Sequence, residues 1–424
     1  MKSNIIKLPA IILLSSASAA AWSAGFAIQE QSITGLGRAF AGSAAVAEDA
    51  STIFFNPAGL TYLDRAEMDL GLNYIAPKSD FENDGSSIAG VIDLNGDDYG
   101  DAGKNAVVPN FYYAHPVNDR LALGFGVSAP FGLVTEYDDT WVGRYFAVKS
   151  DLLTLNFNPS IAYQATDKLS IGFGVSAQYA DVELTQMADL GARFGPGPQA
   201  ADGKVQLEAD DWGFGYNFGL LYQATEATRV GLAFRSKISH TVKGDGTLKD
   251  QNNNLVVAED LEADVDLPET LSLAIHHDIN HKWSVMADAT WTRWSRFKEL
   301  DIQTDGAGML SSTKPEDWEN TMRYGLGVAY KHSDKWQFRA GVAYDETPIP
   351  NAERRTARIP GTDRKWVALG ATYHYSENLI LDAGYAHLFM DDPKINETDD
   401  NGYNLKGKYD ATVDLLGVQL RWLM

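Results

Sequence analysis

Residues 24–64 read AGFAIQEQSITGLGRAFAGSAAVAEDASTIFFNPAGLTYLD, and this stretch does not share the pattern of the chain that follows it. It shows no strand alternation. Small residues crowd together from Gly35 to Ala45, and an Asn56-Pro57-Ala58-Gly59 turn ends the stretch. The chain after it alternates between apolar and polar residues, which is typical of β-strands. A wide barrel leaves a lumen that must be filled or left as a water channel, so we interpret residues 24–64 as a hatch inside a barrel.

This stretch has two other interpretations. An N-terminal cap on a soluble all-β protein remains an alternative on these residues alone. A phosphate-binding loop at GLGRAFAG is rejected, because the third glycine of G-x-G-x-x-G would fall at Phe40 and no strand precedes it.

Composition narrows the class of protein. The chain has 424 residues, a formal net charge of −22 and no cysteine. The acidic balance argues against nucleic acid as a partner, and the lack of thiols excludes disulfides and thiolate metal sites. Mean hydropathy is −0.24 and no long apolar run follows the N-terminus, so spanning helices are excluded while spanning strands are not.

The first residues predict export. Lys2 and Lys7 supply a charged region, and residues 9–21 supply an apolar region too short to cross a membrane as a stable helix. Small residues favour cleavage after Ser23. We therefore expect a signal peptide at 1–23, the hatch at 24–64 and a barrel at 65–424.

Fourteen strand candidates follow the hatch, and 335–346 alternates most clearly. They lie near 66–76, 107–117, 120–130, 151–165, 168–186, 205–224, 228–242, 261–279, 281–302, 318–332, 335–346, 364–375, 378–390 and 408–422. The connections alternate between short turns and long loops without exception. An even number of strands, short turns on one rim and long loops on the other predict an outer-membrane barrel.

The chain resembles the FadL family of outer-membrane long-chain fatty acid and hydrocarbon transporters. The resemblance is carried by AGFAIQEQSITGLGRAFAG with AEDASTIFFNPAGL, by APFGLVTEYDDTWVGRYFAVKS, and by the long run that begins WENTMRYGLGVAYKHSDKWQF. It implies a fourteen-stranded barrel with an internal hatch whose motif is Asn56, Pro57 and Ala58. It further implies capture in a loop groove, a pocket lined partly by the mature N-terminus, here at Phe26, and a third strand that opens toward lipid.

The loop from Ala129 to Lys149 is unusually apolar for an exposed segment, and exposed apolar surface usually marks a binding site. Its candidate substrate contacts are Phe131, Leu133, Trp141, Tyr145 and Phe146. The alternative is that these rings pack loops together over the barrel mouth. The family resemblance favours capture.

A fatty acid carboxylate needs a cation or amide donors, because burying it unpaired is costly. The candidates are Arg144 in the aromatic loop and Lys314, where the family carries a basic residue. The chain reads Asp181-Val182-Glu183 where a family member has a basic residue late in the fifth strand. This departure leaves uptake of neutral aromatic or alkane hydrocarbons as the alternative.

The third strand carries the predicted lateral opening. Pro130 removes a ladder hydrogen bond, and Gly124 and Gly126 offer no side chain to seal the wall. We therefore predict that a hydrophobic ligand leaves sideways at Gly124, Gly126 and Pro130.

Catalytic and metal chemistry are not expected. G-x-S-x-G is absent, the eight histidines are scattered, and the acidic loop at 93–101 lacks the glycine and glutamate of a calcium loop. We expect no cofactor, and a monomer in contact with outer-membrane lipid and lipopolysaccharide. A non-selective porin or adhesin is the more distant alternative.

Overall fold

The computed structural model describes residues 25–306 and 308–424, which form a closed ring of fourteen antiparallel strands. Each strand pairs with the next along the chain, and the first pairs with the last from Glu67↔Leu423 to Asn83↔Gly407. The strands β1 to β14 are Glu67–Asn83, Ala106–Asn118, Leu121–Ser128 with Gly132–Glu136, Lys149–Thr166, Leu169–Asp189, Asp202–Thr225, Thr228–Arg235 with Ile238–Lys249, Leu255–Leu267 with Thr270–Asp278, Trp283–Thr292, Thr321–Lys331, Trp336–Asp345, Arg364–His374, Leu379–Met390 and Tyr403–Leu423. The predicted fold class is confirmed. The predicted signal peptide lies outside the described residues.

The wall is less regular than the sequence predicts. The predicted strands at 228–242, 261–279 and 281–302 are each interrupted, the second at Pro268, which has no N–H to donate to a ladder. Most residues between the predicted strands 228–242 and 261–279 belong to a hairpin whose turn lies at 250–254. Short strands pair within or beside the long loops: Ser87–Ile88, Ile92–Asp93, Tyr99–Asp101, Glu299–Thr304, Ser312–Pro315 and Lys394–Thr398.

Alternate residues of a strand face lipid and lumen. In β1, Leu70 and Leu72 are about half exposed, whereas Asp69 and Asn73 are completely buried. The apolar set therefore forms the outer surface of the ring and the polar set faces inward, the arrangement of a membrane barrel. In a soluble sandwich the apolar set would be the buried one.

Residues 25–64, which we call the hatch, lie inside the ring. A β-carbon on Gly37 would approach the α-carbon of Gly370 in β12 to 2.7 Å, and one on Gly172 in β5 would approach the nitrogen of Ala58 to 2.2 Å. The hatch thus touches widely separated strands, and its small residues permit close contact between backbones.

The hatch is made of short helical turns instead of strands. They are Ile33–Leu36, Ser43–Val46, Thr52–Phe55 and the 3-10 turn Pro57–Tyr62. Loop segments add Leu190–Phe194 and the 3-10 turn Trp294–Arg296. Among the described residues, none of these helices has the length and apolar character needed to span a membrane.

Candidate functional site

An aromatic cage surrounds the ring of Phe26, the second residue that the structure describes. The ring centroid of Phe26 lies 4.9 Å from that of Trp294, 5.5 Å from Phe297, 5.6 Å from Trp318 and 6.0 Å from Phe131. All these side chains are buried, and Leu133 belongs to the same cluster. Three of the predicted contact residues, Phe26, Phe131 and Leu133, are therefore brought together.

The turn after β9 supplies one side of the cage. Trp294 lies in the short 3-10 turn, which is held by the carboxylate of Glu269 in the adjacent β8 break. Glu269 accepts hydrogen bonds from Arg293 at 3.2 Å and from Arg296 at 2.7 Å. The alternation of residues 281–302 predicts one continuous strand and gives no signal for this turn.

The third strand supplies the opposite side of the cage. After Ser128 it turns inward, and backbone bonds join Ile28 N–H to the Pro130 carbonyl and Gly132 N–H to the Phe26 carbonyl, both at 2.9 Å. The pairing of β2 with β3 ends at Phe111↔Val127, although β2 continues toward Ala106. On that edge of β2, residues 106–110 have no ladder partner within the described chain.

Gly124 and Gly126 do not lie at this interruption. Both are in the part of β3 that is paired on two sides, and both face the hatch. A β-carbon on Gly124 would lie 2.8 Å from the side chain of Ile53. The wall is broken after Ser128, where Pro130 stands, because the strand leaves the ladder there. Of the three residues predicted at the opening, Pro130 stands at the break, whereas Gly124 and Gly126 make room for the hatch.

The other predicted rings of the loop pack against one another. The Trp141 ring stacks on Tyr137 with centroids 3.8 Å apart, and its indole N–H donates to the Ala147 carbonyl at 2.7 Å. Tyr145 and Phe146 belong to the same buried cluster, which is separate from the cage. For these three rings, the loop-packing alternative describes the structure.

Arg144 also serves the loops. Its Nε lies 2.8 Å from a carboxylate oxygen of Asp202, and its Nη2 donates to the Tyr145 hydroxyl at 2.8 Å. The same Asp202 accepts from that hydroxyl at 2.6 Å. The guanidinium is buried and paired, so Arg144, which was predicted to bind the ligand carboxylate, already has partners within the protein.

Lys314 lies beside the cage and pairs with one carboxylate. Its ammonium is 2.8 Å from Glu397, and the neighbouring Glu316 accepts from the Trp318 indole N–H at 3.0 Å. Burial, and secondarily the charge of Glu397, raises the pKa of Glu316 to about 8. Lys314 thus lies two residues from Glu316, the carboxyl group that contacts the cage at Trp318.

A third cation, Arg358, lies in the loop between β11 and β12 and was not predicted as a site residue. Its guanidinium donates to the Gln186 side chain at 2.6 Å and to the Ser150 hydroxyl at 3.0 Å. No carboxylate in the described part of the chain forms an ion pair with it, and burial lowers its pKa to about 10. The next residue, Ile359, belongs to the cage cluster. Only the basic run RRTAR hinted at this residue.

A cavity of about 90 Å³ lies next to the cage, between hatch and wall. Phe40, Phe54, Phe55, Phe131 and Phe234 line it, together with Arg235. Arg235 donates to the Phe54 carbonyl at 2.7 Å, so its charge is turned against the hatch backbone. The cavity is mainly apolar and continues the cage inward.

The hatch motif fixes the hatch to the wall. The Asn56 side chain accepts from Ala58 N–H at 3.1 Å and donates to the carbonyls of Ala44 and Leu220. Leu220 lies in β6, and Pro57 opens the 3-10 turn that follows. Asn56 therefore ties two parts of the hatch to each other and to one strand.

A closed, lipid-facing ring of fourteen strands, filled by its own N-terminal segment and carrying an apolar site at a wall break, defines a plugged outer-membrane transport barrel. The comparisons agree: a sequence model of the family "Outer membrane protein transport protein (OMPP1/FadL/TodX)" matches residues 14–423. The chain belongs to this family and to the outer membrane.

Individual relatives cover most of the chain. The long-chain fatty acid transport protein of Escherichia coli K12 is 31% identical over 413 residues, covering 90% of this chain and 91% of that protein. A crystal structure of a Pseudomonas aeruginosa FadL homologue superposes with a TM-score of 0.88 at 28% identity, covering 94% of this chain and 99% of that one. The Pseudomonas putida toluene transporter TodX, at 19% identity, has the same fold with a TM-score of 0.70 over 88% of this chain and 94% of its own.

Proposed function

We propose that the protein takes up long-chain fatty acids by passive facilitated diffusion across the outer membrane. The observation that carries this proposal is the apolar cage around Phe26, which adjoins both the inner cavity and the break in β3. An alkyl chain held there avoids water, which is worth about 0.8 kcal/mol per methylene. Relatives named as fatty acid transporters support the choice of substrate.

The proposed route begins at the extracellular loops and leads into the cage. Two backbone hydrogen bonds, to Pro130 and Gly132, hold the N-terminal end of the hatch against β3. Loss of these two bonds would free Phe26 and connect the cage with the gap beside residues 106–110. The ligand would then enter the bilayer sideways, without crossing the rest of the lumen.

We assign the carboxylate of the ligand to Arg358, with Lys314 close to the cage. Arg358→Gln should weaken fatty acid binding about tenfold or more, because hydrogen bonds to charged groups are worth about 1.5–3 kcal/mol. Binding of a neutral alkane of matched length should not change. Both affinities can be measured on the purified barrel.

Arg354→Gln is the matched control, since Arg354 lies in the same loop and pairs with Asp317 at 2.8 Å. It should leave both affinities unchanged. Equal losses for acid and alkane in Arg358→Gln, or no loss for either, would contradict the assignment.

Uptake of neutral hydrocarbons is the second candidate function. It is favoured by the pairing of Lys314 with Glu397 and of Arg144 with Asp202, which leaves fewer free cations for a carboxylate. Binding of fatty acids and alkanes of matched length separates the two functions. Tighter binding of the alkane, unaffected by Arg358→Gln or Lys314→Gln, would favour the hydrocarbon.

The lateral exit is tested at the unpaired edge of β2. Val108 is buried on the lumen side, while its neighbour Val107 is exposed on the lipid side. Val108→Trp should obstruct the gap, so that fatty acid uptake by cells falls strongly while binding to the purified protein persists. Val107→Trp, which places the same ring in lipid, should transport normally. Normal uptake by Val108→Trp would argue against lateral exit.

A further inference from the structure

A second cavity, of about 270 Å³, lies at the opposite end of the lumen from the cage. It is bounded by hatch residues 38 and 46–48, by the turn at 280–282 and by the nearby ends of β7 to β11. That turn belongs to the short-turn rim, which faces the periplasm in outer-membrane barrels. The cavity shares no lining residue with the cage or with the smaller cavity.

Positive charge is concentrated in this cavity, which we call the periplasmic cavity. Its lining includes five cationic side chains but only two carboxylates, Glu48 and Asp278. The cations are Arg38, Arg229, Lys282, Lys331 and Arg339. The chain as a whole carries a net charge of −22, so the charge of the cavity lining is opposite in sign to that of the whole chain. A concave site lined by one sign of charge concentrates ions of the other sign.

Three of these cations already have partners. Arg38 and Arg339 both bind the carboxylate of Glu48, the latter at 2.9 Å, and Lys331 lies 3.3 Å from Asp334. Their charge contributes to the potential in the cavity, but their donors are largely used within the protein. Arg229 and Lys282 remain.

Arg229 is oriented without being neutralised. Its guanidinium carbon lies 4.9 Å from the ring centroid of Tyr62, a cation–π contact that fixes its plane. Among residues 25–306 and 308–424, its side chain takes part in no hydrogen bond or ion pair, and the same holds for the ammonium of Lys282. A guanidinium presents a planar fork of donors that matches the two oxygens of a carboxylate or phosphate.

We propose that the periplasmic cavity is a binding site for an oxyanion that enters from the periplasm. Arg229 makes the two-point contact, and the Lys282 ammonium, on the exposed turn, closes over the bound group. Val46, Met286 and Ala329 form an apolar wall on the same cavity. The site therefore accommodates either a free phosphate or the carboxylate of a short amphiphile.

The test uses the full-length barrel in detergent, with thermal unfolding as the readout. A ligand that binds only the folded state raises Tm in proportion to ln(1 + [L]/Kd). Inorganic phosphate and hexanoate are titrated separately against chloride at constant ionic strength. We expect a saturable rise in Tm for the wild type. In Arg229→Gln the apparent Kd should increase about tenfold, the loss of one charged hydrogen-bonding pair.

Lys282→Gln is a second test of the site in case Arg229→Gln impairs folding. Lys282 is exposed on a turn, so its substitution should not affect folding. It should also weaken the anion-dependent rise. Lys168→Gln is its matched control, since Lys168 is exposed immediately before β5 as Lys282 is before β9. Lys168→Gln should respond to anions like the wild type.

A rise with both anions that depends on Arg229 would assign a general oxyanion site, and a rise with hexanoate alone would assign an amphiphile carboxylate. The proposal is overturned if the wild type shows no saturable rise, if both variants match the wild type, or if neutral hexanol reproduces the effect of hexanoate. The phosphate arm makes no use of the proposed fatty acid route. Its outcome is therefore independent of that function.

Discussion

Glu48→Gln is expected to conduct ions, whereas the unmodified barrel is expected to be almost silent. Glu48 is the hatch residue that bridges Arg38 within the hatch to Arg339 in β11, and both arginines are buried. Removing its charge leaves two buried guanidinium groups without their shared partner, which costs about 3 kcal/mol. Such a loss shifts the equilibrium between seated and displaced hatch about a hundredfold. Single-channel recording in planar bilayers would show the change as frequent, long openings.

Glu226→Gln is the control for this experiment. Glu226 is exposed on a short turn and forms no ion pair among the described residues, so its variant should remain as silent as the wild type. Silence of Glu48→Gln would contradict the clamp. A steady, large current from the unmodified protein would instead support a non-selective porin.

Phe26→Ala is expected to abolish most of the high-affinity binding of fatty acids. Four aromatic rings have centroids within 6.0 Å of the Phe26 ring, and deleting a buried phenyl group costs about 3–5 kcal/mol. The cage would lose its central ring and its hold on the N-terminal end of the hatch. Equilibrium binding should weaken by about two orders of magnitude, while Phe26→Leu should recover part of the loss.

Phe81→Ala controls for the general loss of a buried ring. Phe81 is as buried as Phe26, but it packs on Trp141 and Tyr409 in the separate loop cluster. Its variant should lose stability without losing affinity. If both variants lost affinity equally, the cage would have no specific part in binding.

The number and order of the strands could be predicted because a barrel imposes a strict local pattern. Each wall strand must alternate between lipid and lumen, and the connections must alternate between the two rims. The pattern is visible in β11, where Trp336 and Phe338 are exposed while Arg339 is buried. The hatch could be predicted because its residues lack this alternation.

The irregularities of the wall could not be predicted in the same way. Pro130 and Pro268 both remove a ladder donor, but the direction in which a strand then turns depends on what lies inside the ring. At Pro130 the hatch supplies replacement hydrogen bonds through Phe26 and Ile28. Gly124 was predicted to leave a gap in the wall because it lacks a side chain. In the structure, the side chain of Ile53 packs against Gly124.

The site was predicted in part for a related reason. An apolar loop residue can pack against a ligand or against other side chains. The sequence alone therefore could not distinguish Phe131, which lies in the cage, from Trp141, which packs the loops together. Arg358 was missed because its position beside β4 and β5 depends on a loop that crosses the barrel mouth. The tertiary contacts of Arg358 place its charge there, and the spacing of residues in the sequence does not reveal these contacts.

The seam between β1 and β14 has a consequence for biogenesis. Glu67 aligns with Leu423, and Met424 N–H bonds to the Ala66 carbonyl at 2.8 Å, so the barrel can close only after β14 has been synthesised. Until that moment β1 presents a bare edge, which is prone to aggregate. Assembly of this protein therefore demands that the edge of β1 be shielded until β14 pairs with it.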